Sequence, residues 1–284
     1  MNVKHSLSER RDLLFNRLGR IGRRSHARWM YWSVYHPFNF GDWIGPFLFE
    51  KITGIESWHR YPNNLSRHTV FMSAGSILSG ARGDCIVWGS GIRSRCAALQ
   101  QPWKICAVRG PYSQERCLHF GIRCNDVFGD PGILLPRFYS PPRPPVTFRL
   151  GIIPHFRDLP NIRRTHSAQD DAQIIDVRYP IETVVDQIRS CQAVVSSSLH
   201  GLIVANAYGI QSGWVDFGGR IGGDGIKFLD YFASLGCFNP VRLDDAARLS
   251  TEELVSFAKD APILSTAAAA DRLMEVCPFA RETE

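Results

Sequence analysis

Apolar residues fall into short runs that end in small or glycine-rich turns, and most runs are followed by a helical period. The strongest such unit is C-Q-A-V-V-S-S-S-L-H-G-L-I-V-A-N-A-Y-G at residues 191–209. Ala193, Val194 and Val195 predict a short buried strand, Ser196 to Ser198 a tight polar turn, and Leu202, Ile203, Ala205 and Ala207 a helix opened by Gly201 and closed by Gly209. Upstream, W-M-Y-W-S-V-Y from Trp29 predicts an aromatic strand, followed by a turn to Asp42 and an apolar helix from Trp43 to about Ile52. Residues 69–74, 85–88 and 104–108 predict further strands, running into Gly75-Ser76, Gly89-Ser90-Gly91 and Arg109-Gly110-Pro111. Pro111 suits the first turn of a helix to about Phe120, and residues 126–136 predict a strand and turn holding Asp130.

Residues 137–149 are proline-rich and read as a boundary between domains. Beyond it, strands are predicted at 150–154, 174–177 and 213–217, with helices at 181–190 and 227–235. Between them, G-G-R-I-G-G-D-G at 218–225 reads as a flexible lid. It superficially matches a dinucleotide-binding glycine signature, but the charged and aromatic residues around it have the wrong spacing. The alanine-rich tail at 251–276 predicts helices able to pack back across the first domain. Strands alternating with helices give an α/β protein with parallel sheets. The predicted division is a basic segment at 1–28, domains at 29–140 and 149–250, and C-terminal helices at 251–284.

A length of 284 residues suits two domains, and 44% hydrophobic content is that of a folded globular chain. No apolar run approaches the roughly 20 residues that a membrane-spanning helix needs. The polar start, residues 1–11, does not read as an export signal, so a cytoplasmic location is expected. Eight cysteines without a C-x-x-C pair read as reduced core residues rather than zinc ligands or a disulfide framework.

The net charge is +6, and residues 1–30 alone carry that excess. Ser6 and Glu9 have capping-box spacing there, and Leu7, Leu14, Leu18 and Ile21 share one side of a helix whose other side is arginine-rich. Two placements are open for it, on an anionic membrane surface or against its own domain with a solvated basic face. Nucleic acid is not expected as a partner, because no known module and no repeated stacking aromatics accompany the charge.

In an open parallel sheet, ligands gather at the carboxyl ends of the strands. The predicted strand ends offer Arg109, whose guanidinium can bind phosphate or carboxylate bidentately, with Arg93 as a second cation. The turn at 196–198 aims helix N–H groups outward, so Ser196, Ser197 and Ser198 frame an anion site beside the proton-transfer group His200. Capping is the simplest role for Asp42. The alternative has Asn39 and Asp42 facing a cleft, accepting hydrogen bonds from sugar hydroxyls, with Asp42 as a base.

Five strings occur in order: V-W-G-S-G-I at 87–92, A-V-R-G-P at 107–111, G-D-P-G-I-L at 129–134, I-P-H-F at 153–156 and S-S-S-L-H-G at 196–201. Through them the chain resembles the polysaccharide pyruvyltransferase family, and most nearly its bacterial branch that places pyruvate ketals on exopolysaccharide repeat units. The similarity runs from about Asn39 to about Tyr231. It implies two Rossmann-like domains facing a cleft, similar to the B-type glycosyltransferase (GT-B) architecture. It also implies phosphoenolpyruvate as donor, with no separate cofactor, and a lipid-linked sugar as acceptor. Many relatives read S-x-R-L-H-G, whereas Ser198 stands here at the arginine position. Lys227, Arg220 or Arg93 must then supply the missing cation, with His155 assisting.

Ketal formation from an enol phosphate needs an acid, a base and cations. His200 is the expected general acid, Arg109 the expected donor-binding cation, and Asp42 or Asp130 the group that orients or deprotonates the sugar. No metal is required. This reading needs His200 and Arg109 to open into one pocket, with His200→Ala and Arg109→Ala both leaving the fold intact. A nucleotide-sugar glycosyltransferase is the competing enzyme, though no clear ribose-binding acid is visible. A non-catalytic scaffold of polysaccharide assembly is the second competitor.

Overall fold

In the computed structural model the described residues are 28–34, 38–66, 68–166, 171–218 and 222–279. The basic N-terminal segment and Arg220 lie outside them. The first sheet holds β1 (Arg28–Tyr31), β2 (Ser57–His59), β3 (Val70–Met72), β4 (Cys85–Trp88) and β5 (Lys104–Ala107). The second holds β6 (Phe148–Ile153), β7 (Ala172–Ile174), β8 (Cys191–Ser196), β9 (Gln211–Val215) and β10 (Arg242–Leu243). Every pairing is parallel, in the orders β2-β1-β3-β4-β5 and β10-β9-β8-β6-β7. Counted from its own first strand, each sheet therefore has the order 2-1-3-4-5, a doubly wound arrangement. These are two Rossmann-like halves of a GT-B-like α/β protein.

In that order the chain reverses direction across the sheet between the first and third strands, and a crevice opens there. In the first sheet this point lies between β1 and β3, in the second between β6 and β8. Ser33 follows β1, Ser76 follows β3, His155 follows β6, and Ser197 to His200 follow β8. Gly75-Ser76, His155 and the turn at 196–198 are the polar turns picked out from the sequence, and Ser33 joins them from a stretch read as strand.

Helix α1 (Phe40–Thr53) begins earlier than the sequence predicts. Asn39, in extended backbone at φ −138°, caps it by accepting from the Gly41 N–H at 3.2 Å, and Gly54 closes it at φ +67°. Asp42 is therefore not the cap; it sits in the first turn, where its charge faces the positive end of the helix. The segment at 126–136 also differs from expectation. A single parallel bridge, Val108 to Phe128, replaces a full strand, and residues Pro131–Leu134 form a 3₁₀ turn capped by Asp130. The remaining helices are α2 (Pro111–His119), α3 (Leu135–Phe138), α4 (Leu159–Thr165), α5 (Ile181–Arg189), α6 (Leu199–Ala207), α7 (Ile226–Ser234), α8 (Thr251–Asp260) and α9 (Ala267–Glu275).

The halves are fused rather than merely apposed. One apolar cluster takes Met30, Phe71, Trp88 and Ala107 from the first sheet and Ile153, Val194 and Trp214 from the second. Phe40 N–H donates to the Val177 carbonyl at 2.8 Å across the same joint. The C-terminal helices divide between the halves. α8 stays on the second sheet, where Leu254, Val255 and Ala258 join its core, so this helix does not cross back. α9 lies on the first half, and Trp88 Nε1 donates to the Leu273 carbonyl at 2.9 Å. Phe279 follows it and sits edge-on to Phe49, Phe71 and Trp88.

No helix among the described residues is long and apolar enough to cross a membrane. None of the eight cysteines is in a disulfide.

Candidate active site

His200 stands in the first turn of α6, 8% exposed, where the joint brings it against α1 of the other half. A Cβ built on Gly41 would lie 2.0 Å from His200 Nδ1, so only glycine leaves room for the ring. The opposite nitrogen, Nε2, lies 3.6 Å from Asp130 Oδ2, within ion-pair range but slightly beyond a hydrogen bond. Both of those atoms are buried and otherwise lack a hydrogen-bond partner. The two fit one proton between them after a small approach, and Nδ1 is then left facing the Gly41–Asp42 turn.

The two carboxylates flanking His200 are driven apart in acidity. Asp130 is wholly buried, which by itself would raise its pKa. The His200 imidazole 3.6 Å away, the Gly132 N–H and the Arg109 charge outweigh burial and hold it below the ordinary carboxylate range. For Asp42 burial wins, and its pKa rises to about 6 despite His200, a hydrogen bond from Ser33, and the charges of Lys227 and Arg93. One carboxylate is thus ionised throughout the physiological range while the other titrates near neutrality. Such divergence is a mark of acid–base assignment.

Beside this group lies a concentration of positive charge. The Arg93 and Arg157 guanidinium groups both lie close to Gly222: a Cβ there would be 3.1 Å from Arg93 Nη2 and 3.8 Å from Arg157 Nη1. Arg93 comes from the first half, Arg157 from the second, and both are exposed. Lys227, in the first turn of α7, completes the set. Burial, then Arg109 and Arg93, depress its pKa to about 8, with Asp42 pulling the other way. His155 is held down to about 4 by burial and by the charges of Lys227, Arg157 and Arg93. Its Nδ1 accepts from the Arg157 N–H at 3.3 Å, so the neutral ring carries its proton on Nε2. Among the described residues no carboxylate forms an ion pair with Arg93, Arg157 or Lys227; Asp42 offsets their mutual repulsion only at a distance, and a bound anion would relieve it further.

Arg109 is placed differently from expectation. It is fully buried, and its guanidinium donates to Asp230 Oδ2 at 3.1 Å, Ser76 Oγ at 2.7 Å and the Ile92 carbonyl at 2.6 Å. Asp230, on α7, also accepts from the Ser113 N–H and hydroxyl at 2.9 and 2.5 Å. The close fit depends on Gly110, where a Cβ would lie 1.9 Å from the Asp230 carbonyl oxygen. Arg109 therefore does not open into a pocket with His200. It ties the halves together, fixes the helix that carries Lys227, and reaches Lys227 and Asp130 through its field alone.

The serines of the turn are likewise occupied. Ser196 Oγ accepts from the Ser198 N–H and lies within hydrogen-bond range of the Ile153 and Ser198 carbonyls. Ser197 Oγ accepts from the His155 N–H and donates to Asp158. Both are completely buried, so they shape the turn instead of lining an open anion site. Ser198 is the N-cap of α6, without a side-chain capping bond. Asn39 uses Oδ1 as a cap, which leaves its amide as a donor rather than the expected acceptor.

His200, Asp42, Arg93, His155 and Lys227 are the sequence candidates that converge here. Sequence reasoning missed Arg157, Asp230, Ser33 and Gly41. Arg157 follows I-P-H-F directly, which was the available signal. Asp230 has none, because its partner lies 121 residues away in the chain.

A family model described as polysaccharide pyruvyl transferase matches residues 41–217. An uncharacterized protein of Acanthamoeba polyphaga mimivirus is 30% identical over 204 residues, covering 70% of this chain and 71% of that protein. A solved structure of a functionally uncharacterized protein from Klebsiella pneumoniae is similar at a TM-score of 0.48 and 12% identity, over 84% of this chain and 98% of that one.

Proposed function

The chain belongs to the polysaccharide pyruvyl transferase family, and on that footing we propose that it moves the enolpyruvyl group of phosphoenolpyruvate onto two hydroxyls of a saccharide. The products are a cyclic pyruvate ketal and inorganic phosphate. The observation that supports this best is the meeting of Arg93, Arg157 and Lys227, without carboxylate partners among the described residues, beside a histidine held between two carboxylates of divergent acidity. The cations suit the donor's phosphate and carboxylate, and they supply the charge that Ser198 lacks. His155 adds a neutral N–H donor.

The proton must reach the methylene carbon as a sugar oxygen bonds to the central carbon. His200 gives that proton through Nδ1, and Asp130 balances the imidazolium. Asp42 takes the proton of the attacking hydroxyl. Phosphate then leaves with the electrons of its C–O bond, and the second hydroxyl bonds to the same carbon, its proton passing to the departing phosphate. Atoms and charge balance with no redox partner.

The acceptor in this reading is a lipid-linked repeat unit of an exopolysaccharide. The arginine-rich residues 1–28 would hold the chain at the anionic inner face of the plasma membrane. Purified protein is tested with carbon-labelled phosphoenolpyruvate and oligosaccharides stripped of ketals by mild acid. Label appearing on saccharide in step with phosphate release is the expected result. Transfer of sugar from a nucleotide donor, with no label from phosphoenolpyruvate, overturns the proposal.

A further inference from the structure

Asp42 and Ser33 are chain neighbours of two members of a continuous run of aromatic rings that the acid–base and donor groups do not use. Phe38 stacks on Trp43 with centroids 5.6 Å apart, and Trp43 lies 5.2 Å from Trp32. Trp32 meets His59 at 4.7 Å, and His59 meets Tyr61 at 4.9 Å. The run and the site are carried by the same two segments, since Trp43 follows Asp42 and Trp32 precedes Ser33 in the chain. It ends outward at Tyr61, which is 63% exposed, on the side of edge strand β2. Trp32 belongs to the apolar core, while Phe38, Trp43 and His59 are half-buried and form a rim over it.

Two features indicate what lies on it. These rings, Phe38 apart, carry polar edges beside apolar faces, which suits a ligand with both C–H faces and hydroxyls better than an aliphatic one. Moreover, Trp32 is 5% exposed and its Nε1–H lacks a hydrogen-bond partner. A buried indole N–H without an acceptor is costly, and a ligand hydroxyl would provide one where the half-buried rings shift to admit it.

We propose that Phe38, Trp43, Trp32, His59 and Tyr61 form the subsite that holds the pyranose rings of the acceptor and presents the reacting diol to Asp42. This deepens the reading of the site as a saccharide transferase and rests on it. The test is saturation-transfer NMR with irradiation of the aromatic protons. The probes are methyl β-D-glucopyranoside, methyl β-D-galactopyranoside and methyl α-D-mannopyranoside, while phosphoenolpyruvate binding is followed separately by phosphorus line broadening. Saturation of pyranoside ring protons is expected for at least one probe. Tyr61→Ala, at an exposed position that the fold does not need, and Trp43→Leu each weaken it by about three- to tenfold. Phosphoenolpyruvate binding without pyranoside saturation, or saturation that neither substitution reduces, overturns the aromatic subsite and leaves the pyruvyl reading standing. Saturation that follows the rings, in protein that does not bind phosphoenolpyruvate, supports the subsite and removes the pyruvyl reading.

Discussion

His200 and Gly41 belong to different halves of the molecule, yet a side chain on Gly41 would fall 2.0 Å from the imidazole Nδ1. The nitrogen left to move a proton is thus positioned by a missing methyl group. Gly41→Ala keeps or improves the helical propensity of α1 but displaces the ring from its place between Gly41 and Asp130. Turnover is expected to fall by about 100-fold with unchanged circular dichroism. An alanine variant with wild-type turnover would show that the contact does not position the ring.

Asp42 yields a prediction with opposite effects on stability and rate. Its folded pKa of about 6 lies above the ordinary 3.8, so between those values the native state holds the proton more tightly. Stability therefore falls as pH rises through that window, and the cost of about 2 to 3 kcal/mol persists above it. Asp42→Asn is expected to be more stable than wild type to urea at about pH 8, to lose that advantage by about pH 4, and to lose turnover. An equal difference at both pH values would refute a strained carboxylate.

His155 gives the opposite slope. Its folded pKa of about 4 lies below the ordinary 6.5, so on acidification the unfolded chain takes the proton first. Stability drops as pH falls between those values, by about 3 kcal/mol over the window. His155→Gln is expected to flatten that limb in urea titrations, and a limb unchanged by the substitution would mean that His155 ionises freely in the fold.

The basic group predicts a selective loss of donor affinity. Arg93→Ala, Arg157→Ala and Lys227→Met are each expected to raise the KM for phosphoenolpyruvate by about tenfold or more, with little change in KM for the saccharide. The comparison of the two KM values is the measurement, and equal effects on both would place these cations elsewhere in the reaction.

Arg109 carries a structural prediction in place of the purely catalytic one drawn from sequence. Removing either partner leaves a buried charge uncompensated, so Arg109→Ala and Asp230→Ala should each cost about 3 to 5 kcal/mol in urea unfolding. The double variant should cost much less than the sum of the two. Additive losses would contradict the pair.

Why Arg109 misled is instructive about what a sequence carries. The runs at Val70, Cys85, Lys104, Phe148 and Cys191 become strands because local β-branched and apolar residues suffice to define them. His200 and Asp42 were legible for the same reason, each sitting in a turn whose local pattern marks it. The identity of an arginine's partner is not local: Asp230 reaches Arg109 only once two sheets have packed together. The start of α1 was misread by three residues because Asn39 and Asp42 are both competent caps, and only the backbone at Asn39 decides between them. Strands β2 and β10 were missed because three and two residues respectively are too few to display an alternation.

An apolar cluster that reaches through both sheets has a bearing on engineering. Two units with the same winding order look interchangeable, as though either were replaceable by its counterpart from a cousin. Severing the backbone within the proline-rich bridge would instead strip each piece of its neighbour's greasy flank. A swapped half would therefore have to bring a matching flank with it.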